Sequence, residues 1–261
     1  MNARSMFHRV TVAALNRLAR TPRTARALFA MIAFHRHWLD HASDEARFLA
    51  FCGSMRPLAR GQILQDLWVL YELDLRVAGY FVEFGAYDGI MDSNTRLLEE
   101  RFGWTGILAE PNPDVAETLR RHRSVTVDDR CVWDVTGDEV DLVLTGDAKL
   151  SAVTDHAVRD LHTDARLATA VREIAVPTVS LDDLLDEHRA PDVIDFLSVD
   201  TEGTELRILQ AFSFSRRPCL VAVEHNGRAD EPEIDALMSA NGYERRFRHM
   251  SDWDAWYRLR A

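Results

Sequence analysis

The chain has 261 residues, 47% hydrophobic and 28% charged, with three cysteines and a formal net charge of −11. That composition supplies a real core and excludes a disordered chain, while Cys52, Cys131 and Cys219, far apart and without a Cys-x-x-Cys pair, exclude zinc ribbons and disulfide scaffolds. The longest unbroken apolar run, Leu28–Phe34, is far short of the ~20 residues a membrane-spanning helix needs, and the acidic balance argues against a nucleic-acid-binding protein.

Charge is unevenly placed. Residues 1–39 hold seven arginines and no acid, so +7 sits there and −18 on the remainder. From Met6 to about Ala50 apolar residues recur at helical spacing, with Thr21-Pro22 breaking the run. The spacing predicts an N-terminal helical arm or cap over residues 1–60, whose arginines would serve an oligomer contact or a peripheral membrane contact. Thiols left free suit a cytoplasmic location.

From Gln62 the texture changes. A helix through Leu64, Leu67, Trp68 and Tyr71 leads to Gly79, and short apolar runs then alternate with helical patterns. The runs are Tyr80–Phe84, Gly106–Ala109, Val125–Val127, Val193–Val199 and Cys219–Val223. The helical patterns lie near Ser93–Phe102, Pro113–His122, Leu181–His188 and Thr204–Phe212. Apolar strands without in/out alternation, each leading to a helix, predict a doubly wound, mostly parallel α/β sheet over residues 61–261. Asp138–Leu144 predicts an added strand, and residues 145–172, polar from Gly146 to Arg172, read as a lid. Tyr243–Phe247 with Trp256–Leu259 predicts a hairpin closing the sheet edge.

In such a sheet ligands bind beyond the carboxyl ends of the strands, so the strand ends carry the candidate residues. The first strand ends Glu83-Phe84-Gly85-Ala86-Tyr87-Asp88-Gly89, where Gly85 and Gly89 let the backbone approach a ligand closely. An acid beside this turn would repel a pyrophosphate but accept a cationic amino-acid ligand. Glu110, ending the second strand, is placed to accept hydrogen bonds from ribose hydroxyls, or else to cap the helix at Pro113. Asp129 and Arg130 follow the third strand and either flank an adenine or form a solvated turn. Asp200 follows the fourth strand, with Glu202 as a helix cap and Glu205 as a first-turn acid. After the fifth strand, His225 facing Asp200 is the best general base, because imidazole exchanges a proton near neutrality. Asp200, Glu224 and Asn226 together form an oxygen set suited to Mg2+.

Taken in order, these segments resemble the FkbM-type S-adenosylmethionine-dependent methyltransferases. The likeness runs from Gly61-Gln62 and Asp66 through Gly79–Gly89, Ser93-Asn94-Thr95, Gly103–Ile107 and Glu110-Pro111, then Ile194–Leu206 and Glu224-His225-Asn226. It covers roughly residues 61–260; Phe84 stands where the family often has a smaller aliphatic residue, and residues 145–172 carry no family pattern beyond Leu150-Ser151. The resemblance implies a class I methyltransferase fold, a seven-stranded Rossmann-like sheet with its last strand antiparallel. It also implies methylation of a hydroxyl on a small-molecule acceptor, a sugar or natural-product scaffold. In that setting Glu83 and Asp88 serve the amino-acid end of the donor, Tyr87 belongs to the same donor-binding turn, and Glu110 serves the ribose. Asp129 or Arg130 flanks the adenine, and Ser93 and Asn94 either touch the donor carboxylate or only cap the helix. His225 or Asp200 takes the proton. Two other classes share parts of this pattern, a nicotinamide-dependent oxidoreductase and a catalytically silent binding module.

Overall fold

A computed structural model of the protein describes residues 42–146, 151–153 and 168–260. The arginine-rich arm and most of the lid segment therefore lie outside the described residues. The chain divides into two units, Met1–Ala59 and Arg60–Ala261. In the first, Ser43 begins helix α1 (Asp44–Met55), its Oγ accepting the Ala46 N–H at 3.3 Å. Among the described residues no helix is long and apolar enough to cross a membrane.

The second unit opens with α2 (Gln65–Glu72) and is built on a seven-stranded sheet. Its strands are β1 (Tyr80–Phe84), β2 (Thr105–Ala109), β3 (Thr126–Asp128), β8 (Phe196–Val199), β9 (Leu220–Glu224), β10 (Tyr243–Arg246) and β11 (Asp254–Leu259). The order across the sheet is β10-β11-β9-β8-β1-β2-β3. All pairings are parallel except those of β11, which lies antiparallel between β9 and β10. The helices between strands are α3 (Arg96–Phe102), α4 (Pro113–His122), α5 (Leu181–Glu187), α6 (Glu205–Ala211) and α7 (Glu231–Ala240). β8 and β9 are buried along their whole length, as strands covered on both faces must be. Val82, Ile107, Leu197 and Val221 join the helices' apolar faces in one core cluster, each such side chain contributing ~1.5–3 kcal/mol by leaving water.

Local chemistry sets the helix limits. Asn112 accepts the Asp114 N–H at 3.0 Å as N-cap of α4, Pro113 occupies the first turn, and Arg120, Arg121 and His122 lie in the last turn against the helix dipole. Helix α6 starts from Thr204, so Glu202 is not its cap. Glu205 lies in the first turn, where its Oε1 accepts the N–H groups of Thr201 at 2.8 Å and Gly203 at 3.1 Å.

The added strand, β5 (Glu139–Thr145), belongs to a second, four-stranded sheet in the order β4-β7-β5-β6. Its partners are β4 (Cys131–Trp133), β6 (Ala152–Val153) and β7 (Ala170–Ser180). The end of the lid segment is thus the start of an 11-residue strand. Pro177 argues against a strand on sequence alone, since it cannot donate to a ladder. Here it sits opposite Glu139, and pairing continues to Thr145 opposite Ala170.

Candidate active site

The order in which strands are laid down reverses between the parallel neighbours β1 and β8: β2 and β3 build outward on one side, β9 and its neighbours on the other. A switch point of this kind opens a crevice at the carboxyl ends of the strands. A cavity of about 420 Å³ lies there. Of the residues anticipated from sequence, it is lined by Gly85, Tyr87, Asn94, Glu110, Asp200, Glu224 and Asn226. Five of its lining residues, Gly85, Tyr87, Asp92, Glu202 and Asn226, have backbone in the left-handed region. Such turns re-aim side chains immediately after a strand.

Glu110 is held by two backbone donors. Tyr87 N–H reaches Oε2 and Asn112 N–H reaches Oε1, each at 2.9 Å. It steadies the residue that caps α4 rather than capping the helix itself. Burial pushes its carboxyl up to about 7, the two backbone hydrogen bonds opposing. Asp200 and Glu224 lie side by side for a reason visible in the register. Val199 pairs with Val223, so the next residue on each parallel strand is an acid. Burial raises both carboxyls; at Asp200 the charge of Glu202 adds to it and a hydrogen bond with Glu224 opposes it, while at Glu224, pushed up to about 12, the charge of Asp200 adds to it. Glu202 joins them, completing a triplet whose carboxylate oxygens lie within 4.8 Å of one another.

The other anticipated residues sit elsewhere. Glu83, 3% exposed, does not line the cavity. It accepts the Asn94 N–H at 2.9 Å and the hydroxyls of Ser93 and Thr95, with Arg123 Nη1 at 3.9 Å. Burial raises its carboxyl and the Arg123 charge opposes that. Ser93 Oγ accepts the Arg96 N–H at 3.2 Å at the start of α3, whereas Asn94 Nδ2 donates to Ser198 Oγ at 2.9 Å and leaves Oδ1 without a partner. Asp88 accepts the N–H groups of Ile90 and Met91 and so shapes the turn, and Gly89 packs against Leu119 and Arg123. Asp129 pairs with Arg120, and Arg130 with Asp128 and Glu187. Cys131 and Val132, the next two residues, line the cavity instead.

His225 does not face Asp200. Its Nδ1 accepts the Gly227 N–H at 3.1 Å, its Nε2 is buried without a partner, and the charges that act on it come from Glu231, Arg245 and Arg228. Burial lowers its pKa. Glu224, one residue earlier, occupies the place beside Asp200.

Most of the buried acids, together with half-buried Asp200, fall into two groups; Asp66, which accepts backbone N–H groups, and Asp254, which accepts from Gln65 and Trp256, belong to neither. Glu83, Asp128, Asp195 and Glu205 face arginines, namely Arg123, Arg130, Arg76 and Arg228. Glu110, Asp200 and Glu224 have no arginine partner among the described residues, and all three line the cavity. Sequence reasoning missed the far wall, where Leu142, Ala152 and Val153 bring the second sheet to the cavity, along with Gln62, Gln65 and Trp253. Gln62 stands in the Gly61-Gln62 motif without having been assigned to the site, and no motif marks Leu142, Ala152 and Val153, which the pairing of β5 with β6 and β7 places there.

A parallel sheet with one antiparallel strand, acids at its switch point and helices on both faces is the class I methyltransferase fold. A family model described as Methyltransferase FkbM domain matches residues 83–245, and the chain belongs to that family of S-adenosylmethionine-dependent methyltransferases. Among solved structures it is similar to precorrin-6y C5,15-methyltransferase from Geobacter metallireducens GS-15, at 12% identity over 69% of this chain and 71% of that one, with a TM-score of 0.39. It is also similar to a TehB-like SAM-dependent methyltransferase from Corynebacterium glutamicum, at 9% identity over 84% of this chain and 100% of that one, with a TM-score of 0.37. Comparison with curated proteins gave no match.

Proposed function

We propose that the protein transfers the methyl group of S-adenosylmethionine to a hydroxyl oxygen of a small molecule, a sugar or natural-product scaffold. The observation that carries this reading is the set of three arginine-free carboxylates, Glu110, Asp200 and Glu224, turned into one cavity at the switch point. The donor supplies a methyl group on a positively charged sulfur, and a cleft lined by acids favours that charge. The cavity falls within the ~300–1,000 Å³ usual for small-molecule sites.

Each residue has a defined task. Gly85 brings the backbone to the cavity where a Cβ would meet the Asp200 carbonyl oxygen at 2.0 Å. Glu110, held through both oxygens by backbone N–H groups, keeps lone pairs free to accept from the two hydroxyls of a ribose. Asn94 Oδ1 offers a further acceptor. Asp200 takes the proton of the acceptor hydroxyl, in place of His225, and burial with the nearby charge of Glu202 raises its basicity. Leu142, Ala152 and Val153 give the acceptor an apolar wall. Magnesium is an aid to deprotonation in this reading, and donor binding does not depend on it. A cytoplasmic setting fits three cysteines that are all free. The arginine-rich arm, residues 1–39, is kept as an oligomer or peripheral membrane contact.

Calorimetric titration with S-adenosylmethionine tests the donor half. The wild type should bind, and Glu110→Ala should weaken binding at least about tenfold, the loss expected for removing a charged hydrogen-bond acceptor worth ~1.5–3 kcal/mol. No binding by the wild type, or equal binding by the variant, defeats the assignment. For the second half, Asp200→Asn should weaken donor binding less than Glu110→Ala does and lose ~10²–10⁴ in turnover at saturating donor over a screen of hydroxylated acceptors. Donor binding without product from any acceptor would favour a silent binding module instead.

A further inference from the structure

We propose that Trp253, Gln62 and Asn226 form the acceptor end of the cavity, and that it takes an uncharged sugar ring, stacked on the indole and held through its hydroxyls. Its use as an acceptor subsite rests on the methyl-transfer reading above; its place follows from the strand ends. Along the carboxyl edge of the sheet come Glu110 after β2, Gly85 after β1, Asp200 after β8 and Glu224 at the end of β9. Strand β11 runs antiparallel, so its first residue, Asp254, pairs with Glu224 and the preceding Trp253 reaches that same edge. With strands ~4.8 Å apart, Trp253 lies two strands, ~10 Å, from the Asp200 strand end and four, ~19 Å, from that of Glu110. Asp200 thus stands between the residue assigned to the donor and the indole.

Trp253 is fixed by its backbone. Its carbonyl oxygen accepts the N–H groups of His225 at 2.9 Å and Asn226 at 3.1 Å, and Asp252 before it takes a left-handed backbone. Asp254 after it accepts from Gln65 Nε2 at 2.9 Å. The side chain is half-buried, lines the cavity and meets no other ring among the described residues. A broad apolar surface set among acids and amides suits a ring with C–H groups on its face and hydroxyls on its rim.

The polar groups beside it match hydroxyls. Asn226, 4% exposed, lines the cavity with its Nδ2 buried and unpartnered, and Glu224 Oε2 is likewise buried without a partner. The amide nitrogen only donates and the carboxyl oxygen offers lone pairs; hydroxyls, which accept and donate, satisfy both. An unmet buried donor costs ~1–3 kcal/mol, which a bound hydroxyl oxygen recovers at Asn226. Gln62, exposed at the cavity, makes no hydrogen bond among the described residues and adds a second amide. Among the described residues the lining holds acids and no arginine, lysine or histidine, so a phosphate or carboxylate on the acceptor would be repelled. In this placement Asn226 donates to the reacting oxygen while Asp200 takes its proton. That oxygen then bonds the methyl carbon, and the carbon–sulfur pair returns to sulfur.

Methyl glycosides of glucose, mannose and galactose serve as probes, with methyl glucuronide as the anionic counterpart and the flavonol quercetin as a flat aromatic one. Saturation-transfer NMR on the full chain reads their binding, and calorimetry reads the donor. We expect a neutral glycoside to bind through the C–H groups of one ring face, with affinity at least about fivefold weaker in Trp253→Ala and in Asn226→Asp, and largely kept in Trp253→Phe. Donor affinity in Trp253→Ala should stay within about twofold of the wild type, which also shows that the variant is folded. Absence of glycoside binding, equal binding by Trp253→Ala, or tighter binding of glucuronide or quercetin than of every neutral glycoside would each overturn the proposal. Donor binding without glycoside binding would remove this subsite and leave methyl transfer standing. Glycoside binding that depends on Trp253, without donor binding, would uphold the sugar site and remove the methyl-transfer reading.

Discussion

Gly85 and Gly103 adopt nearly the same backbone, with φ of 68° and 66°, but in different surroundings. At Gly103, which ends α3, an added Cβ would meet nothing within 4 Å. At Gly85 it would lie 2.0 Å from the carbonyl oxygen of Asp200 and 3.2 Å from its carbon. Gly103→Ala should therefore cost only the left-handed strain of an L-residue, ~1–2 kcal/mol. Gly85→Ala adds an overlap with backbone, which cannot swing aside while β1 and β8 stay paired, and overpacking of that kind costs a further ~1–3 kcal/mol. For a unit of this size each kcal/mol lowers Tm by ~2–4 °C. Urea denaturation followed by circular dichroism compares the two variants directly. Gly85→Ala should be the less stable and should also bind S-adenosylmethionine more weakly, because relief of the overlap moves Asp200 relative to the strand end. Stabilities within about 0.5 kcal/mol of each other would refute the account of a close approach between the two strand ends.

Three further outcomes follow from the buried charges. Arg123, its side chain 1% exposed, serves Glu83 and Glu99, so Arg123→Met should cost ~3–5 kcal/mol in thermal unfolding and Glu83→Gln in the same chain should restore part of it; a loss below about 1 kcal/mol would show the pair to be dispensable. Glu110 is raised by burial to about 7, so its favourable contribution is complete below the unfolded value of 4.5 and is lost as pH rises through about 7. Glu110→Gln should accordingly gain about 3 kcal/mol on the wild type between pH 4.5 and 8 while losing donor affinity, and parallel stability curves would contradict this. Asp128 shows the opposite sign. Burial would raise it, but Arg130 and His188 hold it down to about 2, so its contribution is present above 3.8 and lost as pH falls through about 2. Asp128→Asn should flatten the acid limb of the stability curve by about 2 kcal/mol, which denaturation at pH 2 and 4 would check.

The main sheet was legible because its strands are covered on both faces and so read as unbroken apolar runs. Tyr80–Phe84 needed no revision. Val193–Val199 was overextended, because Ile194 is buried without being a strand residue and Asp195 instead binds the Tyr80 N–H through its side chain. The second sheet was hidden by Pro177 and by the first residues of β7, Ala170 to Glu173, which are exposed and form no apolar run. Helix α7 was missed although Pro232 in its first turn is a start signal. At the site, strand-end position located Glu110, Asp200 and Glu224 but could not say which way each side chain turns. Glu83, one residue before the end of β1, and His225, one residue past the end of β9, face Arg123 and α7 instead of the cavity. Which strand-end acid meets an arginine is decided by residues distant in sequence, forty residues in the case of Glu83 and Arg123.

That division of the acids has an energetic consequence. The chain carries enough arginine to neutralise its buried carboxylates, and does so for Glu83, Asp128, Asp195 and Glu205. Leaving Glu110, Asp200 and Glu224 without such partners raises the free energy of the ligand-free protein as pH rises, because each is driven toward a charge it cannot offset. An incoming sulfonium recovers part of that cost, and recovers more of it once Glu110 is ionised. Stabilisation by S-adenosylmethionine should therefore grow between pH 6 and 8, with the change centred near pH 7. Thermal shift at a fixed donor concentration reads this directly, and Glu110→Gln should remove most of the pH dependence. A shift as large at pH 6 as at pH 8 would mean that the unpaired acids are not what the donor meets.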